Sequence, residues 1–370
     1  MSKDGGRVWG IEIINLKHIN PTPIFVFKLR LIVLGFGVVG QSFAKLLLSR
    51  SADIYNMYGI KPRIVACVDS KGASISSTGL DLKRLLDVKK SRGSIEEYDN
   101  KSSRLDSNSI IENVDAEVLL ELTPTNLEEG EPGTTHIISA MKSGKHVITV
   151  NKGPLALAFP SLLELANYNG VMLRFSGTVG GGTPILDFAK RCLKGERIMS
   201  FKGILNGTTN YILSKMEEGL TFQSALDYAK QKGYAEALPA LDIDGYDAAA
   251  KLVIMANWIM GMKVTMKNIN RIGIREIKLA DMRSARKRGN AIKLIAMCEN
   301  KYLEVKPMEV SKLDPLCVNG TLNAVTFSSQ HSGQQTIIGR GAGGMETASA
   351  ILRDIIEIKD TGFGTRQLPA

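Results

Sequence analysis

The residues that could do chemistry gather in two places. One is the run from Gly233 to Lys251, GYAEALPALDIDGYDAAAK, which holds Glu236, Asp242, Asp247 and Lys251. Asp247 and Lys251 are spaced i, i+4, so a helix sets them on one face. The rest of that helix is mostly apolar, built largely from Ala, Leu, Val, Ile and Met. An ammonium on an apolar face needs a partner or a task, because an unpaired buried charge is costly. Glu236 and Asp242 sit in the Gly/Pro-broken loop just before it. Three carboxylates and one ammonium would converge at a helix start. Such a set can hold a substrate ammonium and move a proton. It is also what a capped, salt-bridged helix terminus looks like.

The other place is G-x-G-x-x-G, formed by Gly35, Phe36, Gly37, Val38, Val39 and Gly40. The first glycine permits a tight turn, the second lets backbone approach a pyrophosphate, and the third lets helix pack on strand. The helix start then offers N–H donors and a positive dipole to phosphate. A strand precedes the motif and helical spacing follows it, which is the context a dinucleotide site requires. Asp69 ends the next strand, later than the usual spacing of about 20 residues. Its carboxylate would bond a ribose 2′-hydroxyl and favour NAD. Lys71, two residues on, would instead hold a 2′-phosphate. NAD and NADP both stay open.

These residues need elements to position them. Segments 28–34, 63–68, 117–121 and 146–150 read as short apolar strands, with helical spacing after 40 and over 80–90 and 135–143. Strand and helix alternating in this way predict a doubly wound, Rossmann-type parallel sheet. After Pro154 the rhythm changes. A helix over 154–169 leads to a strand at 171–175, the glycine-rich stretch 177–182 and a helix from Pro184. Then come a strand at 201–205, a helix opened by NGTTN, a helix capped by Thr221, and an apolar helix over 246–260. Residues 290–310 read as short strands, 336–339 as another, and 345–358 as a last helix. The expected organisation is an extension over 1–27, a dinucleotide-binding domain over 28–152, and an α+β dimerisation and substrate domain over 153–335. A return helix within 336–360 and a tail over 361–370 complete it.

The 370 residues and 40.2 kDa suit two domains rather than one core. With 44% hydrophobic and 23% charged residues, the chain is no disordered polymer. It lacks the long apolar run of a spanning helix and the apolar core of a secretory signal. The net charge of +10 raises nucleic acid as a partner. The basic residues are scattered, though, and their densest cluster, Arg283, Arg286, Lys287 and Arg288, reads as a solvated helix face. Neither a nucleic-acid nor a membrane partner is expected. Cys67, Cys192, Cys298 and Cys317 stand far apart, as reduced, buried thiols of a cytoplasmic protein would.

The Gly233–Lys251 stretch resembles the signature of homoserine dehydrogenases. The similarity extends to GFGVVG, ELTPTN at 121–126, TVNKGPLA at 149–156, GTVGGGTPI at 177–185, GILNGTTNYIL at 203–213 and GRGAGGMETASA at 339–350. The resemblance implies a stand-alone homodimeric enzyme with no aspartate kinase region. Its reaction would interconvert L-homoserine and L-aspartate 4-semialdehyde with NAD or NADP, in threonine and methionine biosynthesis. By the same resemblance Lys251 is the catalytic lysine and Asp247 its neighbour. Glu236 and Asp242 hold the amino acid. Lys152 lies near nicotinamide and substrate, and Thr123 and Gly343 line the dinucleotide. Backbone oxygens at Val179 and Gly181 are implied ligands of Na+. The sequence departs from the family there, with Ser176 where a glutamate is frequent, and again at Leu238, before Pro239.

Two rival readings remain. A phosphorylating semialdehyde dehydrogenase needs an activated nucleophilic cysteine, for which Cys192 is the candidate. A non-catalytic dinucleotide-binding regulator needs no proton donor, so the paired acids and lysine speak against it.

Overall fold

In the computed structural model the described residues are 27–98, 106–235 and 239–362. The expected extension falls outside them except for Phe27, as does the tail beyond 362. Strand β1 (Phe27–Leu34) alternates its side chains between two cores. Leu29, Leu31 and Val33 enter one, and Ile32 and Leu34 enter the other. Such a strand must be covered on both sides. Helices α1 (Val38–Tyr58) and α2 (Leu82–Arg92) cover the first side with Phe43, Leu47 and Leu85. Helices α3 (Ser107–Asn113), α4 (Gly133–Lys142) and α5 (Lys152–Tyr168) cover the second with Ile110, Met141 and Phe159.

Beside β1 run β2 (Ile60–Val68), β3 (Ala73–Ile75), β4 (Val118–Glu121), β5 (His146–Thr149) and β6 (Leu173–Arg174), in the order β3-β2-β1-β4-β5-β6. All pairings are parallel except β2 with β3. This is the doubly wound sheet expected, with two differences. The antiparallel β3 and helix α3 carry too little periodicity to be read from sequence. The sheet also runs past residue 152, because α5 is itself a crossover that delivers β6 to the edge.

The second sheet follows. Its strands are β7 (Ile198–Ile204), β8 (Asn270–Arg271), β9 (Asn290–Glu299), β10 (Tyr302–Ser311), β11 (Leu322–Ser329) and β12 (Gly333–Arg340), in the order β12-β11-β7-β9-β10-β8. Residues 290–310 are not short strands but one long hairpin. Asn300 and Lys301 turn it at φ of 49° and 66°. That turn needs two left-handed residues, and neither is the glycine that would announce it. The strand expected at 336–339 is part of β12, paired to β11, so it stays in this sheet.

Helix α6 (Ile185–Asp187) is a single turn that widens into a π-helical turn over Phe188–Cys192, where one regular helix was expected. Beyond it lie α7 (Gly207–Glu217), α8 (Phe222–Gln231), α9 (Ala240–Ile243), α10 (Tyr246–Met260) and α11 (Leu279–Lys287). Thr221 caps α8 through Ser224 N–H as its type predicts. Arg283, Arg286, Lys287 and Arg288 lie exposed on and just past α11, a solvated face. The last helix, α12 (Gly344–Gly362), returns to the first sheet, where Ile351, Leu352 and Ile355 join the core of β1 and α1. The cysteines are all free, but Cys317 is only half-buried and Cys192 is exposed, against the expectation that all four are buried. Cys192 falls on the outer side of the π-turn.

Candidate active site

Helix α10 starts where Gly245 takes φ +79°, a conformation that a side chain would strain. Asp247 falls in its first turn, where a carboxylate complements the helix dipole. One turn on, Lys251 is only 7% exposed. Its ammonium donates to Asp247 Oδ2 at 2.6 Å and to the Leu205 carbonyl at 2.7 Å. Leu205 follows the end of β7, and its carbonyl also accepts from Asn323 Nδ2 at 3.0 Å. Lys152 opens α5, whose length packs along α10. Its Nζ lies 3.6 Å from Asp247 Oδ1. Asp247 thus stands between two lysines.

Asp242 joins through an intermediary. Asn206 caps α7, its Oδ1 accepting from Thr209 N–H at 2.8 Å. Its Nδ2 donates to Asp242 Oδ1 at 2.6 Å and to Asp247 Oδ2 at 2.9 Å. Burial alone would raise the Asp247 carboxyl. The Lys251 and Lys152 charges and the bonds from Lys251 and Asn206 outweigh it, and hold the group well below the usual carboxylate range. Asp242 goes the other way: burial and the negative charge of Asp247 push it up, against the Asn206 bond and Lys251. The sequence reading missed Asn206 and Asn323. The only signal for Asn206 was its place before GTTN, an N-cap position. Glu236 lies outside the described residues.

The glycine turn is built as its motif requires. Gly35 sits at φ +100°, and a Cβ there would meet the Leu122 carbonyl oxygen at 2.5 Å. A Cβ on Gly40 would meet the Gly35 carbonyl oxygen at 2.6 Å. One on Gly37 would meet nothing within 4 Å. The middle glycine therefore borders open space at the start of α1, whose N-cap makes no side-chain hydrogen bond. This cradle fits a pyrophosphate. Phe36 is buried beneath it, while Val38 is exposed and Val39 half-buried. The start of α12 closes in from the other side: a Cβ on Gly344 would meet Ser42 Oγ and Val38 Cγ1 at 2.5 and 2.8 Å. Gly343, beside it, is at φ +140°.

Thr123 lies against Gly35 and bonds the fully buried Glu121, which also pairs with His136 Nδ1 at 2.7 Å. Asn151 Nδ2 donates to Thr123 Oγ1 at 3.3 Å. Adjacent residues therefore face two ways: Asn151 toward the glycine cradle, Lys152 toward Asp247.

At the end of β2 the structure corrects an expectation. Asp69 is not free to read a ribose. Its Oδ1 accepts from Lys71 and Gly72 N–H, and its Oδ2 from Ile95 N–H at 2.9 Å and Lys89 Nζ at 2.7 Å. Burial raises this carboxyl, but the Lys89 and backbone bonds prevail and hold it low. Lys71 is exposed.

Val179 is fully buried, and Gly181, at φ +54°, packs against the Gly341 backbone. Ser176 does not face this turn alone: its N–H and hydroxyl both donate to Asp354 of α12, at 3.0 and 2.6 Å. Among the described residues no group of three or more His, Cys, Asp or Glu could hold a metal.

Known proteins resemble this chain along most of its length. A family profile described as homoserine dehydrogenase matches residues 184–356, and one for glutamate/leucine/phenylalanine/valine dehydrogenases matches 22–122. A homoserine dehydrogenase from Methanocaldococcus jannaschii is 47% identical over 89% of this chain and 98% of its own. An NAD(+)-dependent homoserine dehydrogenase from Pseudomonas canavaninivorans is 36% identical over 89% of this chain and 96% of its own. The crystal structure of a putative homoserine dehydrogenase from Archaeoglobus fulgidus superposes with a TM-score of 0.82, at 39% identity over 89% of this chain and 99% of that one. A hyperthermophilic archaeal homoserine dehydrogenase in complex with NADPH superposes with a TM-score of 0.79, at 29% identity over 90% of this chain and 98% of that one. With two lysines around one aspartate beside a glycine cradle, and relatives alike along nearly their whole length, the chain belongs to the homoserine dehydrogenase family.

Proposed function

We propose that this protein interconverts L-homoserine and L-aspartate 4-semialdehyde with NAD(P), as an enzyme of threonine and methionine biosynthesis. The observation that carries the reading is Lys251, buried and held by Asp247 and the Leu205 carbonyl, with Lys152 3.6 Å from the same aspartate. Gly35 to Gly40, Thr123 and Gly343 would hold the dinucleotide. When bound, it supplies or accepts the hydride. Lys251 gives a proton to the developing alkoxide in reduction and takes it back in oxidation. Asp247 orients that ammonium, and Lys152 adds a second positive charge beside the oxygen. Asp242 and Glu236 receive the α-ammonium of the amino acid.

Exposed Lys71 and spent Asp69 favour NADP, since the charge that would repel a 2′-phosphate is already paired with Lys89. A homodimer belongs to the same proposal. One face of the second sheet is covered by α7, α10 and α11, while Lys202, Met297, Lys306 and Met308 on the other are half-buried and Ile338 is exposed. A second copy of the chain would cover them. The Na+ expected at Val179 and Gly181 fits poorly: Ser176 brings no carboxylate where the family resemblance would place one. No step here uses a cation.

The test is direct. Purified protein is given homoserine with NADP+ or NAD+, and reduced nicotinamide is followed by absorbance. Turnover that disappears in Lys251→Ala is expected. No turnover with either cofactor, in protein that binds dinucleotide, would overturn the assignment.

A further inference from the structure

A cavity lies at the far end of α10 from the Asp247–Lys251 cluster. The catalytic aspartate and lysine occupy the first two turns of that helix, and its last residues floor this cavity. Lys251 and Met260 are about 13 Å apart along the axis at 1.5 Å per residue. The cavity measures about 750 Å³. That is the size of a small-molecule site and too small for a protein partner. Its floor is apolar, from Ile259, Met260 and Met262, all incompletely buried.

Its rim is basic. Lys190, Lys194, Arg197 and Lys301 line it, and among the described residues none of them has a carboxylate partner. The one acid there, Glu196, turns to His331, which donates its N–H at 3.4 Å. Lys190 rides on the π-turn Phe188–Cys192, and its Nζ stands 5.1 Å from the centre of the Trp258 ring. Such turns are rare and are frequently found at functional sites.

We propose that this cavity binds a small amphipathic anion: a carboxylate or sulfonate carried on an acyl or aryl body. A neutral apolar molecule would desolvate four cations with no return. An inorganic anion would leave the Met260 and Met262 surface bare. Only a ligand with both parts complements the site. Cys298 lines it from the helix-covered face of the second sheet. A second copy seated on the opposite face leaves the cavity open, so the site is available in monomer and dimer alike.

The test is a titration of the intact protein with anilinonaphthalene sulfonate, read by fluorescence, with decanoate and decanol as competitors. Saturation at one probe per chain is expected, displaced by decanoate and not by decanol. Lys190→Glu/Lys194→Glu should weaken the probe about tenfold or more, as loss of charge-assisted contacts does. Arg283→Glu/Lys287→Glu on α11 changes net charge equally and should alter binding less than about twofold, because these exposed side chains do not line the cavity and their charge is screened. Both variants touch exposed side chains, and circular dichroism verifies their fold. Equal losses in the two variants, displacement by decanol as well as decanoate, or absence of saturable binding would each overturn the proposal. None of these outcomes depends on dehydrogenase turnover.

Discussion

Asp69 and Lys89 meet at 2.7 Å, and that pairing decides what the end of β2 can recognise. An acid in this place usually selects NAD by bonding the ribose. Here its oxygens are already filled by Lys89 and by backbone N–H groups. Lys71, two residues on, is exposed and has no ion-pair partner among the described residues. Wild-type protein should therefore bind NADP more tightly than NAD. Lys71→Ala should weaken NADP about tenfold, the scale of one charge-assisted contact, and leave NAD nearly unchanged. Titration of both cofactors into both proteins checks this. Equal losses would show that Lys71 does not read the phosphate.

Lys251→Ala should keep the fold and dinucleotide binding while kcat falls by about 10²–10⁴, the range for a lost general acid–base. Asp247→Asn should lower kcat as well, since it frees the ammonium to rotate. A stopped-flow measurement of single turnovers separates the chemical step from product release. A kcat near wild type in Lys251→Ala would move the proton transfer to Lys152.

Asn206 bridges two acids that would otherwise repel. Asn206→Ala removes both bonds at once, and the homoserine KM should rise. A loss of about 1–3 kcal/mol is the scale for unsatisfied buried partners. Asn206→Asp should be worse, because it places a third carboxylate where the amide donated. Steady-state kinetics of the two variants, with dinucleotide Kd as control, check the order.

Asp354 gives a pH prediction. Burial, with the nearby charge of Asp187, lifts its carboxyl to about 7, against the Ser176 bonds and Arg353. Folding therefore favours the protonated acid. That stability is complete below the ordinary carboxylate range and is lost as pH rises through about 7. Asp354→Asn cannot ionise, so the difference in Tm between variant and wild type should grow in the variant's favour from acid to neutral pH. Calorimetry across that range measures it. A constant difference would mean that Asp354 does not titrate there.

Much of this site was legible before the structure. Helix 246–260 lies between glycines at 245 and 261, so its apolar run and its lysine could be placed to the residue. The glycine motif carried its own flanking strand and helix. What escaped was relational. The Asp69–Lys89 pair joins residues 20 apart on different elements, and nothing local to either announces it. Asn206 reads as a helix cap, and only the approach of α7 to α10 turns its amide toward two carboxylates. The hairpin at Asn300 and Lys301 escaped for the opposite reason: its turn residues give no glycine signal.

The return of α12 has a consequence for biosynthesis of the chain. The helix layer on this side of the first sheet is split, with α1 and α2 encoded before residue 93 and α12 after residue 343, and the second sheet inserted between. While the chain is being translated, the flank of α1 that packs on α12 has no cover until codons past Gly344 are read. A chaperone acting at the exit tunnel would find that flank uncovered for most of synthesis. A premature stop upstream of Gly344 would leave the second sheet with every strand and the cofactor half permanently unfinished.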